Sequence, residues 1–334
     1  MENPARIPMV SIVVPNYNYA RYLKERMDSI FNQTFTDYEI ILLDDASTDN
    51  SVELLTEYAK DPRVSSLVIN ERNTGLPFLQ WKRGIEAARG KYVWIAESDD
   101  KADPEFLATC VKSLERKPEA VLAFAGSTVI DSDGNPTNLD YDCWKGRRHL
   151  KRIGKTFVYD GYDYVIHNMA WKNYVYNASD TVFRRSAFDG DKDYNLCFDM
   201  RNAGDHLFWT IMMKKGKVIE IYRKLNYYRR HDASQTAVGI SKGTANGQLF
   251  KEETMVLKYI FNNFPIHNYR KAILGGHKIK TIKRSKLNPE AKALAINYII
   301  RELGISPADY YIDRVNKFFW NFIPGLIALQ SDRL

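Results

Sequence analysis

Two apolar stretches near the start of the chain each lead into a pair of carboxylates. Tyr38 to Leu43 runs into Asp44 and Asp45, and Tyr92 to Ala96 passes through Glu97 and Ser98 into Asp99 and Asp100. Short continuous apolar runs of this kind read as strands buried on both faces, which requires helices to cover them. The intervening sequence supplies those helices. Val10 to Val14 is a β-branched strand, followed by Leu23, Met27, Ile30 and Phe31 at helical spacing. Asp49 or Ser51 can cap a helix carrying Val52, Leu55 and Tyr58. Val64 to Ile69 is a third strand, Asn73-Thr74-Gly75 a turn, and Phe78 to Ala88 a helix ended by Gly90. The alternation predicts an α/β fold with a mainly parallel sheet flanked by helices. In such a sheet ligands bind outside the carboxyl ends of the strands, so both acidic pairs face one crevice.

Adjacent carboxylates at a strand end are costly without a positive partner, and a hydrated divalent cation carrying a diphosphate is the occupant that suits them. Beyond Asp100, Pro104 sits in the first turn of a helix reaching Arg116. Val121 to Ala125 and Thr128 to Ile130, with SDGNP after them, read as a strand and turn of a different, antiparallel region. From Tyr141 to Asn173 the chain is aromatic and shows no clear period.

Composition narrows the class. With 334 residues, 45% of them hydrophobic and 27% charged, the chain can bury a sizeable core and add a second module. Its apolar runs, such as Val121 to Ala125, fall far short of the roughly 18 to 20 residues of a membrane-spanning helix. The amino terminus moves straight from a polar lead into a strand, so a cytoplasmic protein is expected. Cys110, Cys143 and Cys197 are odd in number, widely spaced and without a CxxC pattern, which argues against a disulfide framework and against a zinc site. The net charge of +7 is concentrated late: between Glu253 and Glu290 there is no acidic residue, while Lys258, Arg270, Lys271, Lys278, Lys280, Lys283, Arg284 and Lys286 all fall there. HDASQTAVGISKGTANGQ, from His231 to Gln248, reads as a mobile loop and domain boundary.

Four segments together resemble the family 2 glycosyltransferases, inverting enzymes of the GT-A fold that use nucleotide-diphosphate sugars. They are VSIVVPNYN at Val10 to Asn18, SIFNQTFTDYEIILLDDASTDNS at Ser29 to Ser51, NTG at Asn73 to Gly75, and ARGKYVWIAESDD at Ala88 to Asp100. SDTVFRRSAF at Ser179 to Phe188, AGDHLFW at Ala203 to Trp209 and YYRRHDAS at Tyr227 to Ser234 resemble the family's more variable acceptor half. The resemblance implies a GT-A domain over residues 5–235, with a nucleotide-binding half at 5–125 and an acceptor half at 126–235. A flexible loop and C-terminal helical extension would fill residues 236–334.

The same resemblance implies roles at matched positions. Pro15, Asn16, Tyr17 and Asp45 hold the nucleotide, where a carboxylate suits a base imide or amine and Tyr17 offers a stacking face. Asp44 reads as a turn or cap residue. Arg83, on the helix after NTG, approaches the diphosphate or is a solvated helix arginine. Asp99 and Asp100 occupy the family's DxD position, Asp99 at the sugar nucleotide and Asp100 at the metal; the first acid of the motif is here Glu97. Hard oxygen ligands select Mn²⁺ or Mg²⁺, and His231 supplies a further ligand that favours Mn²⁺. Arg229 and Arg230 beside it can grip diphosphate oxygens. Asp205 is the implied general base, although an acid at a helix start is also a routine cap. Trp209, Trp171 and Tyr176 are aromatics for sugar faces or for the core.

The expected activity is therefore inverting, metal-dependent transfer of a hexosyl or N-acetylhexosaminyl unit. The donor is a nucleotide-diphosphate sugar, with a UDP-sugar favoured, and the acceptor a hydroxyl of a glycan or lipid-linked molecule in cell-surface polysaccharide synthesis. No nucleic-acid partner is expected. A degenerate sugar-nucleotide-binding module is the non-enzymatic alternative. A sugar nucleotidyltransferase is disfavoured because VPNYNYAR lacks a glycine-rich phosphate loop, and a dehydrogenase because no GxGxxG follows the first strand. KFFWNFIPGLIAL, Lys317 to Leu329, with the basic segment before it, reads as a patch held at the inner face of the membrane, or as a helix packed on the catalytic domain or a twin subunit; the basic run by itself reads first as a solvated helix face.

Overall fold

The computed structural model describes residues 7–142, 144, 151–231, 245–306, 308 and 331–333. Strands and helices alternate first as β1 (Val10–Asn16), α1 (Ala20–Phe31), β2 (Tyr38–Asp44), α2 (Ser51–Tyr58), β3 (Val64–Ile69), α3 (Pro77–Ala87) and β4 (Tyr92–Ile95). The order continues β5 (Lys101–Ala102), α4 (Phe106–Arg116), β6 (Ala120–Ile130), β7 (Thr156–Tyr159), β8 (Thr181–Arg184), α5 (Gly204–Met213) and β9 (Lys217–Arg229). The helices α6 (Ala245–Asn263), α7 (Asn268–Arg284) and α8 (Pro289–Leu303) follow, and β10 (Ser331–Arg333) is last.

One sheet runs in the order β10-β7-β9-β6-β8-β4-β1-β2-β3, with β5 paired to β9. Its first half is parallel: β1 lies between β2 and β4, and β3 flanks β2. Register sets Asn16 beside Asp44, so the loops after β1 and β2 leave the sheet at the same level. Beyond β4 the sheet becomes mixed. β8 is antiparallel to β4 and to β6, and β6 is parallel to β9. The two short runs expected around Val121 and Thr128 form the single strand β6, whose pairing with β9 shifts register on either side of Gly126. The shift lets an eleven-residue strand keep pairing through an irregular stretch.

Both faces of β1, β2 and β4 are covered, which explains their unbroken apolar runs, while β3 at the sheet edge is largely open, with Val68 and Ile69 exposed. Val10, Ile12, Val14, Ile40, Leu42, Tyr92 and Trp94 pack against α1 and α4 on one side. Val13, Ile41, Leu43, Val93 and Ile95 pack on the other side with α3 and α5. The helix after the sheet joins this second core: Val256, Leu257, Ile260 and Phe261 of α6 belong to the same cluster as Phe208 and Trp209 of α5. A small separate cluster, including Phe250, Ile279, Ile282 and Ile299, ties α6, α7 and α8 together.

Part of the late basic run is used internally. Lys278 pairs with Glu253 at 2.9 Å, Lys258 with Glu302 at 2.9 Å, and Arg270 donates to the Ile166 carbonyl at 2.7 Å. Among the described residues no helix is long and apolar enough to cross a membrane. The aromatic segment Lys317 to Leu329, residues 232–244 of the expected loop, and Cys143 lie outside the described residues. Cys110 and Cys197 are buried free thiols.

Candidate active site

The loops at the carboxyl ends of β1 and β2 clasp each other. Asn18 accepts from the Thr48 N–H at 2.7 Å through Oδ1, while its own N–H donates to Ser47 Oγ at 2.8 Å. Asp49 accepts from the N–H of Ala20, at the start of α1, and from that of Ser51, each at 3.0 Å. Asp49 thus serves the starts of two helices, more than the single cap expected of it. Asp44 behaves as the turn residue anticipated: its oxygens accept from Ser47 N (2.7 Å), Ser47 Oγ (2.7 Å) and Asn16 Nδ2 (2.8 Å).

Asp45 has a different set of partners. Oδ1 accepts from Asn70 Nδ2 at 2.6 Å and Gln80 Nε2 at 2.8 Å, and Oδ2 from Thr74 Oγ1 at 2.8 Å and Thr74 N at 3.0 Å. The carboxylate therefore holds the Asn73-Thr74-Gly75 turn against β2. Gly75 has φ +64°, a left-handed conformation that glycine adopts without steric cost. Arg83 bonds Asn70 Oδ1 behind this turn and is not among the residues lining the cavity described below.

Behind β4 an acidic cluster rests on a buried arginine. Arg26 of α1 is 0% exposed; its Nε donates to the Glu97 carbonyl at 2.8 Å and its Nη2 to Ser179 Oγ at 3.0 Å. Burial lowers its pKa to about 10, and the charges of Asp100, Asp99 and Glu97 oppose that fall. Glu97 accepts from Trp81 Nε1 at 2.8 Å, and burial, then Asp99, push its pKa up to about 8. Asp100 accepts from the Arg229 N–H at 2.8 Å and from Asn177 Nδ2 at 2.9 Å; burial, then Asp99, push it up to about 6. His231 Nε2 lies 3.1 Å from Asp99 Oδ2, with its ring against Tyr19 and Tyr22.

Arg229 lines the cavity described below, with its guanidinium engaged by protein partners. It is buried, and its guanidinium pairs with Glu25 and donates to the carbonyls of Asp99 (2.7 Å) and Asp131 (3.0 Å). The backbone alternation of β9 turns it inward, where it binds loops together. Arg230 lies against the rings of Tyr141 and Tyr228.

Asp205 lies in the first turn of α5. Ala203 is the N-cap residue and no side chain caps it. Asp205 Oδ1 accepts from the His206 N–H at 2.7 Å, and Oδ2 from Asn173 Nδ2 at 2.8 Å. Burial raises its pKa to about 7 against the pull of those two bonds, and the Glu252 carboxylate adds to the rise. Gly204 permits this placement, because a Cβ there would stand 2.3 Å from Phe78 Cδ2 and 2.7 Å from the Cys197 carbonyl. The start of α5 is thereby pressed onto α3.

These groups surround one cavity of about 520 Å³. Its lining includes Pro15, Asn16, Tyr17 and Tyr19 after β1, Asp45 and Gln80, the acids Glu97, Asp99 and Asp100, and Tyr176, Asn177 and Asp205. Of the residues expected at the site, Arg83 and His231 are outside this lining, His231 touching the lining residues Asp99 and Tyr19. Among the three expected aromatics only Tyr176 lines the cavity; Trp209 is 0% exposed in the core, and Trp171 packs edge-on against His277. The buried Arg26, Trp81 and Asn177 and the half-buried Asn173 were not anticipated. Only Arg26 left a signal, a cation on the same helical stripe as Leu23, Met27 and Ile30.

Among the described residues no group of three or more His, Cys, Asp or Glu side chains forms a ready-made metal cage. The donor set nevertheless suits a hard divalent ion that takes one or two carboxylates and completes its shell with phosphate oxygens and water. Among the described residues each Asp100 oxygen accepts one hydrogen bond, which leaves a lone pair; burial first, and the Asp99 charge second, disfavour its ionised form, and a bound cation would favour it.

Comparison with known proteins places this architecture. The Glycosyl transferase family 2 model matches residues 11–190. The chain belongs to glycosyltransferase family 2. Chondroitin synthase of Escherichia coli is 32% identical over 138 residues, 41% of this chain and 20% of that protein. A glycosyltransferase of Haemophilus influenzae is 26% identical over 273 residues, 80% of this chain and 77% of that one. The crystal structure of S. aureus TarS 1-349 in complex with UDP-GlcNAc superposes with a TM-score of 0.66 at 16% identity, covering 92% of this chain and 88% of that one, and shares the GT-A fold. The chain spans a fifth or less of the length of the bacterial chondroitin and hyaluronan synthases that it matches.

Proposed function

We propose that this family 2 chain is an inverting glycosyltransferase. It would move a hexosyl or N-acetylhexosaminyl unit from a UDP-sugar to a hydroxyl of a glycan or lipid-linked acceptor in polysaccharide synthesis. The observation that carries the reading is the position of Asp205: a carboxylate with its pKa raised to about 7 lies in the wall of the cavity that Asp45, Asp99 and Asp100 also line. A base titrating near neutrality is matched to taking a hydroxyl proton. The complex of the structurally similar TarS fragment with UDP-GlcNAc supports the donor class, and the synthase activity named for the Escherichia coli relative supports the product class.

In this reading Tyr17 stacks on the base, and Asp45 shapes the floor by holding the turn at Thr74. Asp99 and Asp100 are the residues that would hold Mn²⁺ or Mg²⁺, with His231 steadying Asp99. Such an ion, when bound, neutralises the charge of the departing diphosphate. Asp205 takes the proton from the acceptor hydroxyl as its oxygen bonds the anomeric carbon, and the bond from that carbon to the diphosphate oxygen breaks on the opposite side. One carboxylate suffices for a single displacement, and the product anomer is inverted.

The test is a transfer assay with a panel of UDP-sugars and oligosaccharide acceptors, with the product linkage read by proton NMR. A product of inverted configuration is expected. A retained configuration overturns the single displacement, and binding of donor without turnover with any acceptor favours a non-catalytic sugar-nucleotide-binding module.

A further inference from the structure

The helix that follows the catalytic sheet reaches back to the segment leading into Asp205. Glu252 of α6 is 1% exposed, yet it is an acid surrounded by a hydrophobic cluster. Its Oε2 accepts from the N–H groups of Asn202 at 2.7 Å and Ala203 at 2.9 Å; its Oε1 accepts from the Arg201 N–H at 3.1 Å and from Gln248 Nε2 at 2.9 Å. One carboxylate thus gathers three consecutive backbone donors. A buried carboxylate is expensive, and charge-assisted bonds to backbone N–H groups are what offset the cost.

The anchored segment is short and lies at the cavity. Arg201 and Asn202 line the cavity wall, Ala203 is the N-cap of α5, and Asp205 follows two residues later. With no side chain of its own capping it, the start of α5 takes its external anchor from Glu252. The anchor is rigid because α6 is itself fixed: Val256, Leu257 and Ile260 are packed in the core, and the Tyr259 hydroxyl donates to Asp193 at 2.7 Å. Glu252 is not itself among the residues lining the cavity; it bonds the backbone of Arg201 and Asn202, which are.

We propose that Glu252 is a positioning residue for the transfer reaction, its carboxylate fixing the backbone of residues 201–203 and so the place where Asp205 meets the acceptor hydroxyl. The proposal rests on Asp205 being the base. It gives the first helix of the C-terminal extension a part in the chemistry, since loss of the anchor leaves three N–H groups to find other partners and lets the start of α5 drift. Misplacement of a reacting group by about 1 Å costs on the order of a hundredfold in rate.

The test uses the full chain with Glu252→Gln, which keeps the shape of the side chain but sets an amide N–H against backbone donors. Glu252→Asp, which keeps the charge one methylene short, is measured beside it and carries the same test if the glutamine variant does not fold. Expected for Glu252→Gln are faster hydrogen exchange at Asn202 and Ala203, a kcat lower by about tenfold or more, and a Kd for UDP within twofold of wild type. Glu252→Asp should fall between the two. A structural role alone would lower the folded fraction while leaving kcat per folded molecule unchanged, and that result overturns the proposal. So does faster exchange at both amides with wild-type kcat. Asp205→Asn is assayed in parallel. If it turns over at the wild-type rate, the reading of Asp205 fails and this proposal with it. If it is inactive while Glu252→Gln turns over normally, only the present proposal fails.

Discussion

Asn173 donates through Nδ2 to Oδ2 of Asp205 at 2.8 Å, across the gap between the aromatic segment before β8 and the first turn of α5. The bond favours the ionised carboxylate, whereas burial favours the neutral acid, and the balance stands at about 7. Burial, opposed by the His206 N–H and the Asn173 amide, thus leaves a carboxylate in the cavity wall whose pKa is raised to about 7.

Asp205→Asn should lower kcat by about 10²- to 10⁴-fold, the range of general base catalysis, because the amide keeps the acceptor oxygen for the His206 N–H but takes no proton. Calorimetry with UDP should show an unchanged Kd. A variant with near wild-type kcat and lowered thermal stability would make Asp205 a helix-terminal residue only.

The rate of transfer should rise with pH and reach half its plateau near 7, since Asp205 accepts a proton only when ionised. Removing the Asn173 amide, as in Asn173→Ala, takes away a bond that holds the pKa down, so the acid limb should move to higher pH. The acid loss is not unfolding through this group. Asp205 binds its proton more tightly folded than unfolded, so its contribution to stability grows as pH falls from about 7 towards the ordinary carboxylate range. A kcat/KM profile, with circular dichroism over the same range, checks both statements.

Donor binding should require a divalent cation. Excess chelator, or Asp100→Asn, should abolish calorimetric binding of the sugar nucleotide, and Mn²⁺ or Mg²⁺ should restore it for the wild type alone. Unchanged donor affinity in chelator sinks the metal role of Asp100.

Asp45→Ala should destabilise the fold by about 3 kcal/mol, because the Thr74 N–H, Asn70, Gln80 and the Thr74 hydroxyl lose one shared acceptor. Urea unfolding measures this. Donor affinity should weaken in the same variant through release of the Asn73-Thr74-Gly75 turn.

The sequence displays the parallel half of the fold plainly, since strands such as Tyr38–Asp44 are buried along their whole length and cannot hide their apolar character. Pro15, Asn16, Tyr17, Asp45, Asp99, Asp100 and Asp205 are brought to one cavity because each ends or follows a strand, or opens a helix, at the same end of the sheet. The stretch from Tyr141 to Asn173 resists reading for a physical reason. Its aromatics serve a polar network: Trp144 Nε1 donates to Glu220 Oε1 at 2.8 Å and the Tyr164 hydroxyl to Glu220 Oε2 at 3.3 Å, and rings with polar tips follow no amphipathic period. Glu252 escapes for a related reason, because a lone charge in a helical pattern looks like a solvated face until its backbone partners are seen.

The clasp among Asn18, Ser47, Thr48, Asp49 and Ala20 bears on how a nucleotide is received. Each bond in it joins protein to protein, so the wall carrying Tyr17 has already given up its conformational freedom when the chain folds. A ligand seated against that wall would then lose mainly its own freedom, with little binding energy diverted to ordering that side of the cavity. The stiffness of two short loops thus becomes affinity, without adding a single contact to the ligand.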